Sequence, residues 1–239
     1  DHVGVYVNNC YGYVRAVLAC ATLGAAAVCI PFHLDDKTVF GCTMKYTLKA
    51  LIYGPATSEK LGVVKSQNPK CALIDAYATG TKTVPVDHSI QQNDHFCVLF
   101  TAGTTGAPKS VVLNHRAVCR SITNGQYGYK EVLEQRYLCI LPLTHVFGLI
   151  RNVLTSFATG SVIMLSQNPQ NFFKDVATFK PTIAVLVPAL VELGCKLSAV
   201  NKANLFGSIK TIIAGSSAVG HYLVEACQKL GVTCLPGYG

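Results

Sequence analysis

Between two apolar runs, residues 96–100 and 110–113, the chain reads Thr101-Ala102-Gly103-Thr104-Thr105-Gly106-Ala107-Pro108-Lys109. These residue types suit the binding of an anion. Two glycines free the backbone to turn so that several N–H groups converge on one concavity. The hydroxyls of Thr101, Thr104 and Thr105 add neutral donors, and Lys109 adds a point charge. A polyphosphate would use all of them. The Walker pattern is nearly present, from Gly103 to Lys109-Ser110, but Pro108 stands where its second glycine belongs. Proline fixes φ and has no N–H, so the close backbone approach of that loop is lost. A P-loop NTPase therefore ranks below another kind of nucleotide site, and the plain alternative is a glycine-threonine turn that binds nothing.

Other candidates are weaker when taken singly. His145, inside Leu141-Pro142-Leu143-Thr144-His145-Val146-Phe147-Gly148, reads on composition as a satisfied histidine at a helix start. Tyr238, between Gly237 and Gly239, reads as a core aromatic. Asn114 is an N-cap candidate for a helix opening at His115 and Arg116, both read as structural. Acidic residues are sparse, and a pair such as Asp35-Asp36 lies far in sequence from the threonine-rich turn, so nothing supports a two-carboxylate hydrolase. The 11 cysteines are odd in number, sit mostly in apolar runs and never show the C-x-x-C spacing. Reduced core thiols and no structural metal site are expected.

The segment Thr101 to Lys109 resembles the signature loop of the adenylate-forming (AMP-binding) superfamily, which includes acyl-CoA synthetases, luciferases and peptide-synthetase adenylation domains. Three further segments follow in that family's order. Leu141 to Gly148 is similar to its Leu-Pro-Leu-x-His-x-x-Gly segment. Gly215-Ser216-Ser217-Ala218 stands where relatives have a Gly-Gly-Ala-Pro-like turn, with the second glycine and the proline replaced. Gly237-Tyr238-Gly239 resembles the start of Gly-Tyr-Gly-x-Thr-Glu. Ser110 departs from the glycine usual after the lysine, which implies a less mobile end of the loop.

The resemblance implies that a carboxylate attacks the α-phosphorus of ATP, giving acyl-AMP and pyrophosphate, and that a thiol then takes the acyl group. Thr101, Ala102, Gly103, Thr104, Thr105, Gly106 and Lys109 would form the phosphate site, with Lys109 and Thr104 acting in catalysis and Mg²⁺ bridging the phosphates. Gly215, Ser216 and Ser217 would face the base edge, and Tyr238, flanked by Gly237 and Gly239, would stack on adenine. His145 would shape or gate the acyl pocket, with Val146 and Phe147 as its wall. The Leu-Pro-Leu-x-His form tilts the reading towards acyl-CoA synthetase and away from a peptide-synthetase adenylation domain. The implied partners are ATP, Mg²⁺, a fatty or aryl carboxylic acid, and coenzyme A or a carrier protein. The glutamate that binds magnesium is expected beyond Gly239, as are the ribose-binding aspartate and the small carboxy-terminal lid domain with its lysine. Asp1-His2-Val3-Gly4-Val5 resembles a strand that relatives reach only after an amino-terminal segment. Residues 1–239 are thus expected to be an incomplete N-terminal domain and a poor catalyst alone. A non-catalytic fragment is the rival reading.

The elements that must position these residues follow from apolar periodicity. Short β-branched runs at 3–7, 26–30, 51–53, 71–74, 96–100, 110–113, 137–141, 162–165, 183–187, 209–214 and 232–235 read as buried strands. Helical spacing marks 13–23, 115–125, 171–179, 189–200 and 219–230. The alternation predicts an α/β fold with mainly parallel sheets flanked by helices, because parallel neighbours need crossovers. The stretch 77–93 has no periodic apolar face and reads as a loop separating two sub-sheets.

Composition bounds the rest. Half of the 239 residues are apolar, enough for a sizeable core, and 13% are charged, against a usual share of about 25%. The net charge of +8 comes from scattered Lys and Arg with no run that would track a nucleic acid backbone. Residues 16–32 carry no charge, but Gly24 and Pro31 argue against a membrane span. The first residues do not resemble a signal peptide, so a cytoplasmic location is expected.

Overall fold

A computed structural model describes residues 1–78, 80, 84–101, 109–126 and 135–237. All the apolar runs expected as strands are strands, and the chain divides into two compact units.

The first unit comprises Asp1–Ser121 and Leu143–His145. Its strands are β1 (His2–Tyr6), β2 (Ala26–Cys29), β3 (Ala50–Tyr53), β4 (Ala72–Asp75), β5 (His95–Thr101) and β6 (Lys109–Asn114). They form one sheet in the order β4-β3-β1-β2-β5-β6. Helices α1 (Tyr11–Thr22), α2 (Asp36–Lys45) and α3 (Gly62–Gln67) fill the connections between β1 and β4, which gives parallel neighbours. The link from β5 to β6 is too short for a crossover, and the two strands pair antiparallel. One face of the sheet, with Tyr6, Val28, Ile30, Leu51 and Val98, buries against Val39, Leu61 and Val64. At the end of β6, Asn114 Oδ1 accepts from the Ala117 N–H at 2.8 Å and caps α4 (His115–Gln126), as the sequence indicated.

The stretch 77–93 does not divide the sheets. β4 before it and β5 after it belong to one sheet, with β3, β1 and β2 between them. Composition carries no information about which strand a chain joins next. The second sheet begins only after α4.

The second unit comprises Ile122–Pro142 and Val146–Gly239. Strands β7 (Arg136–Cys139), β8 (Val162–Leu165), β9 (Ile183–Leu186), β10 (Thr211–Ala214) and β11 (Thr233–Pro236) form an all-parallel sheet in the order β11-β10-β9-β7-β8. A π-helix (Phe147–Leu154) running into α5 (Thr155–Ala158), together with α6 (Phe172–Phe179), α7 (Pro188–Asn201) and α8 (His221–Lys229), supplies the crossovers. Both faces are buried, as parallel sheets require. In β9, Ala184 and Leu186 meet the cluster of Phe172, Val191, Phe206 and Cys227, while Ile183 and Val185 join Tyr137, Leu141 and Ile213 on the other face. Period-two alternation thus sends apolar groups both ways.

Candidate functional site

The threonine-rich turn belongs to the β5–β6 hairpin of the first unit. Thr101 ends β5 and Lys109 opens β6, and the two are register partners. The Thr101 hydroxyl donates to the Lys109 carbonyl at 3.3 Å, and both residues are exposed. Below them Phe100 pairs with Ser110 and sets its ring edge-on to Tyr46 at 6.0 Å, which anchors the stem. Ser110, the departure from the family glycine, is therefore a rung of the ladder. Ala102, Gly103, Thr104, Thr105 and Gly106, with Ala107 and Pro108, lie outside the described residues.

The Leu-Pro-Leu-x-His segment is held at Leu143. Its N–H donates to Asn9 Oδ1 and its carbonyl accepts from the Tyr13 hydroxyl, each at 3.0 Å. Leu143 and Tyr13 are buried, and Thr144 nearly so, whereas His145 is exposed. Burial pushes the Tyr13 phenol well above its usual range, which keeps it a neutral donor. Leu143 is thus held on both sides of its peptide, two residues before the exposed His145.

In the second unit the motif's glycine has a packing reason. A Cβ on Gly148 would lie 2.3 Å from the Pro142 carbonyl oxygen, so no larger residue fits as the chain folds back into the π-helix. π-helical segments are rare and frequently lie at functional sites, mostly as single turns; here the segment runs for 8 residues. This one begins with Phe147, half-buried, after Val146, which is 46% exposed.

The order of the second sheet reverses at β7 and β9. β7 connects onward to β8 on one side, and β9 to β10 on the other. Ligands of open α/β sheets bind outside the carboxyl ends of strands at such a switch point. Gly215 follows the end of β10, donating its N–H to the Leu186 carbonyl at 3.1 Å, and Gly237 follows β11, donating to the Ala214 carbonyl at 2.7 Å. A Cβ on Gly215 would meet the tip of the Phe147 ring at 2.8 Å and the Gly237 carbonyl oxygen at 3.1 Å. Three separately predicted segments therefore meet at this edge. Ser216 holds φ at +72°, a left-handed conformation that favours glycine. Glycine would adopt this conformation without penalty, and serine occupies the position here under strain. Ser216 and Ser217 are exposed. Tyr238 and Gly239 lie outside the described residues.

Of the predicted site residues, Thr101, Lys109 and His145 belong to the first unit. Val146, Phe147, Gly215, Ser216, Ser217 and Gly237 belong to the second. The contact of Phe147 with Gly215 was missed in the sequence, because local pattern gives no sign that residues so far apart share one strand end. Among the described residues, no group of three or more His, Cys, Asp and Glu is placed to hold a metal ion. No helix among the described residues is long and apolar enough to cross a membrane.

A parallel sheet bearing glycine-rich turns at the carboxyl ends of its strands is the architecture of nucleotide-binding α/β domains. The chain belongs to the AMP-binding enzyme family, whose model matches residues 1–239. It is 29% identical over 262 residues to 4-coumarate–CoA ligase 2 of Solanum tuberosum, an alignment covering 100% of this chain and 47% of that protein. Among solved structures it is similar to the N-terminal domain of FACL13 from Mycobacterium tuberculosis, at 21% identity and a TM-score of 0.83, covering 100% of this chain and 62% of that one. It is also similar to the O-succinylbenzoate coenzyme A synthetase of Bacillus subtilis in complex with ATP and magnesium, at 21% identity and a TM-score of 0.80, covering 100% and 49%. These structures share its fold. The chain spans about half the length of the curated relatives it matches.

Proposed function

We propose that the full-length protein activates a carboxylic acid with ATP and transfers the acyl group to coenzyme A. The carboxylate oxygen attacks the α-phosphorus and pyrophosphate leaves. The thiol of coenzyme A then attacks the acyl carbonyl of the adenylate, and AMP leaves. The observation that carries this reading is the hairpin stem, which sets Thr101 opposite Lys109 at the mouth of the threonine- and glycine-rich turn. The ladder holds Thr101 and Lys109 in register, and donors fixed in advance stabilise developing phosphate charge without reorganising.

In this reading Thr101, Gly103, Thr104, Thr105, Gly106 and Lys109 hold the β- and γ-phosphates. Gly215, Ser216 and Ser217 offer groups to the base edge, and Tyr238 stacks on adenine. His145, Val146 and Phe147 border the acyl chain. The family match and the similarity to a 4-coumarate–CoA ligase support acid-to-coenzyme A ligation over a P-loop NTPase, a reading Pro108 already weakens. The apolar side chains of Val146 and Phe147 favour a fatty or aryl acid, and abundant thiols without a disulfide suit a reducing cytoplasm. Chromatography of the full-length protein's products, with ATP and a panel of such acids, tests the proposal. Acid-dependent AMP and pyrophosphate support it, while ADP and phosphate, or no turnover with any acid, would defeat it.

A further inference from the structure

Three cysteines of the second unit gather away from the proposed ligand edge. Cys195 lies on α7, Cys227 on α8 and Cys234 on β11. The Cys195 and Cys227 sulfurs are 3.8 Å apart, on neighbouring helices that the Tyr222 hydroxyl also links by donating to Glu192 Oε2 at 3.4 Å. α7 sits close to its support at this point, because Gly194 leaves no space between the helix and the Phe206 ring, where a Cβ would meet ring atoms at 2.5 Å. Cys227 is fully buried and Cys234 nearly so, whereas Cys195 is partly exposed. One thiol of the pair is thus open to a small solute, and the other is held in waiting behind it.

We propose that Cys195 and Cys227 form a modification site in which hydrogen peroxide generates a reversible disulfide joining α7 to α8. The Cys195 thiolate attacks a peroxide oxygen, the O–O bond breaks, and Cys195 becomes a sulfenic acid while the departing hydroxide takes up a proton as water. The Cys227 sulfur then attacks the Cys195 sulfur, the S–O bond breaks, and a second water leaves with the Cys227 proton. Two thiols are oxidised by two electrons and one peroxide is reduced. The sulfurs must close from 3.8 Å to about 2 Å, a movement within reach of side-chain rotation on two surface helices. Burial pushes the Cys195 thiol up, so the reaction is slow at neutral pH and favours sustained exposure to oxidant.

The product would staple the helix that follows β9 to the helix connecting the Ser216 turn with β11. Because the link closes a long stretch of chain, it raises the thermal midpoint. The full chain, treated with hydrogen peroxide, alkylated and digested, is read by mass spectrometry. A Cys195–Cys227 peptide pair lighter by two hydrogens and reversed by dithiothreitol is expected, with a rise in melting temperature that the same reductant removes. Cys195→Ser and Cys227→Ser each lose both effects. If Cys195 and Cys227 remain alkylatable while the exposed Cys119 is oxidised, or if Cys227 links to Cys234 instead, the proposal is overturned.

Discussion

The ring of Phe147 occupies the space beside Gly215 that any side chain there would need, with its tip 2.8 Å from where a Cβ would stand. A residue from the histidine-bearing segment thereby fixes the turn after β10. Gly215→Ala should destabilise the protein by about 1–3 kcal/mol through overpacking. Adding Phe147→Leu should recover part of that loss, because the clash is with the far end of a side chain. Urea denaturation of the two single variants and the double variant gives the coupling energy. Strictly additive losses would mean that the two residues do not share this space.

Ser216 at φ +72° carries the strain of a left-handed non-glycine residue. Ser216→Gly should raise stability by about 0.5–1 kcal/mol, the relief of a cost near 1–2 kcal/mol less the entropy glycine loses on folding. A lower denaturation midpoint in the glycine variant would show that the serine side chain contributes more than its backbone costs.

Much of the fold was legible in the sequence for a physical reason: buried parallel strands are short β-branched runs, and the chain has little else of that kind. α2 was harder to see because its inward stripe carries the polar Asp36 and Thr43 beside Val39 and Phe40 while Met44 faces solvent, although Asp35 marks its start by accepting from the Thr38 N–H at 2.9 Å and the Thr38 hydroxyl at 3.0 Å. The π-helix was missed too, since the apolar run from Val146 has no feature that distinguishes a five-residue hydrogen-bond spacing from an α-helix. Within the candidate site, motif order singled out Gly148 and Gly215, and each has a packing reason in the fold. Phe147 looked like any wall residue until the strand ends were seen together.

Tyr13 donates to the Leu143 carbonyl inside the core. Tyr13→Phe leaves that carbonyl short of a partner where water does not reach, at a cost of about 1–2 kcal/mol. Thermal and urea unfolding measure it, and a variant as stable as the parent would contradict the anchoring role given to this bond.

Tyr6 donates to the Leu34 carbonyl at 2.6 Å, and its phenol is pushed up to about 12 by burial, then by the Asp36 and Asp35 carboxylates. Folding therefore favours the protonated form. The resulting stability is complete below the unfolded value of about 10 and is lost as pH rises from there through the folded value. The stability advantage of wild type over Tyr6→Phe should narrow across that window, measured by urea unfolding at successive pH values. A gap that stays constant would rule out the linkage.

In the proposed function, the residues from Thr101 to Lys109 hold the phosphates of ATP. Calorimetric titration of Mg-ATP into the wild-type protein, Lys109→Ala and Thr104→Ala tests it most directly. Lys109 is exposed, so its removal should change stability by less than about 0.5 kcal/mol. Binding to wild type and affinity reduced about tenfold or more in each variant is the predicted result, since a charge-assisted contact is worth roughly 1.5–3 kcal/mol. The same binding heat and affinity in all three proteins would contradict the account.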